Sequence, residues 1–124
     1  MHVVRRNPAE PPALEEFVTG VARPLLLVGA AESDEVRVIV ASFEPGAHNH
    51  PHTHTFDQVL YTLEGVGFVE TEDERVVVEA GDTVVVPAGV RHWHGAVDDA
   101  RLRQLSIGVP GTSDFDGRSY GATE

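Results

Sequence analysis

From Leu25 to about Val109 apolar and polar positions alternate with a period close to two. In a strand successive side chains point to opposite faces, so this pattern predicts β-structure. Over Glu35–Phe43, Val36, Val38 and Val40 face one way and Arg37, Ile39 and Ala41 the other. Leu25–Val28 is a short apolar run, and Val59–Leu63 and Val66–Thr71 flank Glu64-Gly65, which reads as a tight hairpin turn. Arg75–Glu79 follows an acidic turn at Thr71–Glu74, Thr83–Val86 lies between Gly81-Asp82 and Pro87-Ala88-Gly89, and Arg91–Val97 and Leu102–Val109 complete the set. About eight short strands separated by turn signals predict an all-β sandwich or barrel. The one helical signal is a single turn over Pro12–Val18, where proline is tolerated at the start.

The ends break the pattern. Residues 1–24, with Pro8, Pro11, Pro12 and Pro24, predict an N-terminal arm, leaving 25–109 for the barrel. Residues 110–124 carry Gly111, Gly117 and Gly121 among polar residues, with only Phe115 and Tyr120 to bury. They predict a flexible C-terminal tail, or an arm that packs on a neighbouring subunit. A chain of 124 residues fits one domain that buries roughly two-thirds of its unfolded surface. With no cysteine it has no disulfide and no thiolate ligand or nucleophile. A formal charge of −11 argues against nucleic acid and against an anionic membrane as partners. The first residues include two arginines but no apolar run, so no secretory signal is expected, and no stretch reaches the ~20 apolar residues of a membrane span. The expectation is a soluble, cytoplasmic protein.

Candidate chemistry is concentrated in histidine. Six of the seven histidines fall in two clusters, His48-Asn49-His50-Pro51-His52-Thr53-His54 and His92-Trp93-His94. On a strand His52 and His54 aim two imidazoles at one point, Gln58 follows on the same parity, and His92 supplies a third imidazole if the barrel folds it across. Neutral imidazole binds Mn, Fe, Co, Ni or Zn. Three imidazoles and one amide oxygen leave one or two coordination positions open, the mark of a catalytic rather than a structural metal site.

The spacing around these residues resembles that of the cupin superfamily. Its first motif is glycine, five residues, His-X-His, three or four residues, glutamate, six residues, glycine; this chain reads Gly46, five residues, His52-Thr53-His54, three residues, Gln58, six residues, Gly65. The second is glycine, five residues, Pro-X-Gly, two residues, histidine, three residues, asparagine; the chain reads Gly81, five residues, Pro87-Ala88-Gly89, two residues, His92, three residues, Ala96. The resemblance implies a single jelly-roll barrel (a double-stranded β-helix) that holds one divalent metal ion through His52, His54, Gln58 and His92. It sets His48 and His50 aside as residues near the barrel mouth.

Two positions depart from the pattern: Ala96 stands for the asparagine and Gln58 for the glutamate ligand. A glutamine adds no charge, so a bound ion keeps its full +2, binds less tightly and is a stronger Lewis acid. It also stabilises a 3+ ion less than a carboxylate does. His52–Gln58, His92–Ala96, Phe17–Gly20 and Phe43–Gly46 look like the small bacterial cupins that include manganese-dependent hydroxynitrile lyases. That resemblance implies manganese as the metal, with Fe, Zn, Ni or Co as alternatives, and a homodimer or higher homo-oligomer. It also implies a lyase acting on a small oxygenated substrate. The site residues expected beyond the ligands are His94, for proton transfer, and Gln104, for a substrate hydrogen bond. Val40, Ser42, Phe56 and Leu60 are expected from parity to line the pocket. A metal-dependent dioxygenase and a non-catalytic small-molecule-binding barrel are the alternative functions. Residues 1–24 are the expected dimerisation arm.

Overall fold

A computed structural model describes residues 1–6 and 10–120, Tyr120 by its backbone alone. Asn7–Ala9, Pro8 of the expected arm among them, and the last four residues of the expected tail lie outside the described residues. Twelve strands and no helix occur among the described residues: β1 (Val18–Thr19), β2 (Ala22–Val28), β3 (Arg37–Phe43), β4 (His48–Asn49), β5 (Thr53–His54), β6 (Gln58–Glu70), β7 (Arg75–Glu79), β8 (Thr83–Val86), β9 (Trp93–Ala96), β10 (Leu102–Gly108), β11 (Ser113–Phe115) and β12 (Arg118–Tyr120). No helix there is long and apolar enough to cross a membrane.

The strands form an all-β barrel from two antiparallel sheets that share β6. One runs β2–β3–β10–β6–β8 and the other β1–β4–β9–β6–β7. The first half of β6 pairs with β8 (Gln58↔Val86 to Tyr61↔Thr83) and its second half with β7 and β9 (Phe68↔Val77 and Phe68↔Gly95).

The hairpin turn expected at Glu64-Gly65 is therefore absent. Residues 58–70 are one thirteen-residue strand that bends between the sheets. Gly65 still needs its freedom: its φ is +83°, and a Cβ there would sit 1.8 Å from the Arg101 carbonyl oxygen. Glycine marks a bend at a barrel corner here, which a sequence cannot tell from a two-residue turn.

Both ends also differ from expectation. Pro12–Val18 makes no helical turn, because Phe17 sits at φ +65°, outside the right-handed helical region. Val18–Thr19 instead pairs with His48–Asn49, and β2 begins at Ala22. At the other end, 113–120 is not a loose tail. β11 and β12 form a hairpin whose first strand pairs with β5 through Ser113↔His54 and Asp114↔Thr53.

Two small apolar clusters fill the barrel. Ala22, Phe43, Ala47, Ala96 and Leu102 make one, and Leu60, Val69 and Val86 the other. Ala96, which replaces the motif asparagine, is buried in the first, where an apolar methyl suits its neighbours.

Candidate metal centre

Backbone pairing places the histidines. His52 and His92 exchange both of their N–H···O=C bonds, at 3.0 and 2.9 Å, as an isolated antiparallel bridge. This sets the two side chains opposite each other, with ring centroids 4.4 Å apart. His54, two residues on, shares the face of His52, and its carbonyl accepts the Gly89 N–H at 2.9 Å, which ties it to the turn before His92. One ligand atom from each of His52, His54 and His92 lies within 4.8 Å of the others. His92 is fully buried and His52 nearly so.

Every imidazole is oriented from behind. His52 Nδ1 faces the His50 carbonyl at 2.6 Å and His92 Nδ1 the Val90 carbonyl at 2.9 Å. A carbonyl only accepts, so both rings carry their proton on Nδ1 and keep the lone pair on Nε2. His54 Nδ1 lies 2.7 Å from the Ser113 hydroxyl, on β11. Gln58 donates Nε2–H to Ser106 Oγ at 2.9 Å, which turns its Oε1 inward to 3.2 Å from His54 Nε2 and 3.1 Å from His92 Nε2.

This donor set tests whether a metal fits. With Nδ1 protonated, His92 Nε2 brings a lone pair toward the oxygen lone pairs of Gln58, and neither atom has a proton to share. The Nε2 atoms of His52 and His92 and one amide oxygen thus converge as acceptors, with His54 Nε2 beside them. A divalent cation satisfies such a set, and these nitrogen and oxygen donors suit a transition metal. Burial keeps the rings neutral. It lowers the pKa of His52 to about 3, helped by His92 nearby, and that of His54 to about 4, again helped by His92. Burial lowers that of His92 as well. Neutral imidazole is the ligating form.

Above the cluster lies a cavity of about 200 Å³ whose wall is mostly apolar. Pro24, Ile39, Ala41 and Phe43 line it beside His52, His54 and Gln58. The expected lining was on the wrong face of β3: Ile39 and Ala41 point inward, whereas Val40 does not line the cavity and Ser42 faces an outer groove with Arg23 and Arg101. Both faces of β3 are partly buried, so parity alone did not give the sign. Leu60 packs in the second apolar cluster, and Phe56 stacks on the His54 ring at 4.8 Å without reaching the cavity.

Of the other expected residues, His94 and Gln104 both line the cavity. His48 and His50 do not join the cluster: His48 packs near Phe68, and exposed His50 meets Thr19 Oγ1 at 3.1 Å. Trp93 points away, as its parity requires, with the Arg91 guanidinium 5.8 Å from its ring. Sequence reasoning missed Ser106, Ser113, Asn49 and the aromatic stack at the mouth. There Phe17 lies on Phe115 (4.2 Å between centroids) and Phe115 on His52 (4.7 Å). Ser106 was the accessible one, since it lies two residues from Gln104 on the same face of β10.

Residues 39–108 match the family model described as Cupin domain. The chain is a cupin. It is 33% identical over 93 residues to an (R)-mandelonitrile lyase of Granulicella tundricola, covering 74% of this chain and 71% of that one. It is 37% identical over 60 residues to an acireductone dioxygenase of Sulfurihydrogenibium, covering 45% of this chain but only 34% of the relative. Among solved structures, a cupin-like protein of Thermotoga maritima superimposes with a TM-score of 0.75 at 32% identity, over 79% of this cupin and 76% of that chain.

Proposed function

We propose that this cupin is a metal-dependent lyase that cleaves a small, largely apolar hydroxylated substrate of the cyanohydrin type. One divalent ion, with manganese the first choice, would be held by His52, His54, His92 and Gln58. The convergence of three imidazoles and the Gln58 oxygen beside the cavity carries this reading. The likeness to an (R)-mandelonitrile lyase over most of the chain supports the choice of reaction. So does the cavity, because an apolar space of roughly 150 Å³ already accepts benzene. About 200 Å³ then suits one ring with a short substituent.

Bound there, the ion supplies Lewis-acid polarisation of a substrate oxygen. The protein's residues do the rest. The His50 and Val90 carbonyls hold His52 and His92 in one tautomer, and the Ser113 hydroxyl orients His54. Ser106 keeps the Gln58 amide oxygen forward. Phe43, Ile39 and the Phe17–Phe115 stack pack against the apolar part of the substrate and exclude water. The ligand set brings no negative charge, which favours polarising an oxygen over stabilising an oxidised metal.

The test is elemental analysis of untagged protein, wild type and His54→Ala, followed by mandelonitrile cleavage after loading with Mn(II). About one metal per chain, lost in the variant together with the activity, is the expected result. Metal-free protein that resists reconstitution would sink the reading. The acireductone dioxygenase likeness keeps a second reading, a dioxygenase, which predicts oxygen uptake by the iron-loaded protein instead.

A further inference from the structure

The two sheets differ in what they present to solvent. Ile39, Ser106 and Gln58 line the cavity, so their neighbours along β3, β10 and β6 point outward. Strand pairing joins these outward positions into rows across the sheet. One row runs Val28–Val38–Ile107–Val59–Val85. The next runs Leu25–Val40–Leu105–Tyr61–Thr83. No charged side chain interrupts either row. Val40 is nearly covered by its neighbours, but Tyr61 is 37% and Val85 58% exposed. Val36 and Val109, one residue beyond the Arg37↔Gly108 pair, are exposed as well.

The outer face of the other sheet is polar, as a solvated sheet face is expected to be. There Arg75 meets Glu70 at 3.3 Å, and its guanidinium covers the Phe68 ring at 4.1 Å. The apolar face has no such cover, and on a chain of formal charge −11 it marks a contact surface. The row at its end shows what fits it. That row reads Arg23–Ser42–Arg103–Glu64. Arg23 is held by Glu10 at 3.4 Å, whereas the exposed Arg103 and Glu64 form no ion pair among the described residues. They are register partners on β10 and β6. A two-fold axis running along the strands between β10 and β6 brings Arg103 of each copy to Glu64 of the other. The same operation sets Leu105 over Tyr61 and Ile107 over Val59. The face is therefore complementary to itself, in charge as well as in apolar surface.

We propose that the outer face of the sheet β2–β3–β10–β6–β8 binds a second copy of this chain, sheet on sheet, about a two-fold axis between β10 and β6. Two such faces pack with their strands within about 30° of each other. The contact lies mostly outside residues 1–24, the arm expected from sequence to join two copies. β3 and β10 carry Ile39, Ala41 and Ser106 on their inner faces, so each copy backs a wall of the other's cavity. The inference rests on neither the metal nor the reaction.

The test is sedimentation of the full-length protein at micromolar concentration, with and without Mn(II). Wild type is expected at twice the mass of one chain. Tyr61→Lys is expected at the mass of one, because it buries an unpaired charge in the middle of the contact. Arg103→Glu and Glu64→Arg each set like charges against each other across the axis, so each alone is also expected as a single chain. Mixed in equal amounts, these two variants should regain the dimer, since each offers the charge that the other lacks. Pairing within one chain cannot explain that recovery, because like charges remain there. Circular dichroism matching wild type shows that each variant is folded. Wild type at the mass of one chain would overturn the proposal and leave the face to a different protein. A dimer that survives Tyr61→Lys would overturn it by placing the contact elsewhere, the N-terminal arm included. A mixture that stays single-chain would overturn it as well.

Discussion

The Ser113 hydroxyl, on the C-terminal hairpin, lies 2.7 Å from Nδ1 of His54, on β5. One hydrogen bond thus joins a candidate ligand to a segment 59 residues later in the chain. Partners behind a metal-bound imidazole typically govern 10- to 100-fold in affinity. Ser113→Ala is expected to weaken Mn(II) binding by about tenfold or more, read by competition with a chelator, with little change in the urea midpoint of the metal-free protein.

Gln58→Glu replaces a neutral ligand with a charged one. A carboxylate beside a +2 ion in a buried site adds direct Coulomb attraction, so affinity for divalent metal should rise about tenfold or more. The same charge makes the ion a weaker Lewis acid, so cleavage per bound metal should fall. Tighter binding without lower turnover would show that the neutral ligand is not what tunes the site.

The buried histidines make metal-free stability depend on pH. His52 and His54 keep pKa values of about 3 and about 4 in the folded protein against 6.5 when unfolded, so below 6.5 the unfolded chain binds more protons. The contribution is fully present above pH 6.5 and is lost as pH falls toward 4 and then 3. The slope is at most about 1.4 kcal/mol per pH unit for each histidine, less where water still reaches the ring. Urea titrations at pH 7.5, 6 and 5 should show flat stability above 6.5 and a decline below. Bound metal should raise stability at each pH without flattening the decline, since the metal-bound native state takes up no more protons than the metal-free one.

Gly95→Ala tests the approach of β4 to β9. A Cβ there would lie 2.2 Å from the Ala47 carbonyl oxygen and 2.5 Å from His48 Cα. Neither is a flexible group, so β4 must move, taking Asn49 away from His94. A loss of about 2–4 kcal/mol is expected, seen as a lower urea midpoint at unchanged slope.

The barrel and the histidine cluster were legible because both are written in strict registers. Period two on β3 and β10, and fixed spacings from Gly46 to Gln58 and from Gly81 to His92, translate directly into faces and turns. What stayed hidden depends on contacts far apart in sequence. Nothing near Ser113 or Phe115 says that a glycine-rich, polar segment will add a strand beside Thr53–His54. Asn49 has the opposite parity to the histidines around it, and it matters only because β4 pairs with β9. The inward face of β3 was misread because Val40 is buried too.

The sharing of β6 by both sheets leaves the barrel no seam along which one sheet could peel from the other. Opening either half strips ladder partners from the same strand, so the amides of Leu60, Thr62 and Phe68 should exchange with solvent only when the whole barrel comes apart. The β11–β12 hairpin shares no strand with those sheets: two rungs to β5, the Ser113–His54 contact, the Phe115 stack on Phe17 and His52 and the Arg91–Asp116 pair hold it. Gln58 therefore sits on the strand that both sheets share, whereas the support of His54 sits on a hairpin outside them, whose amides should exchange sooner.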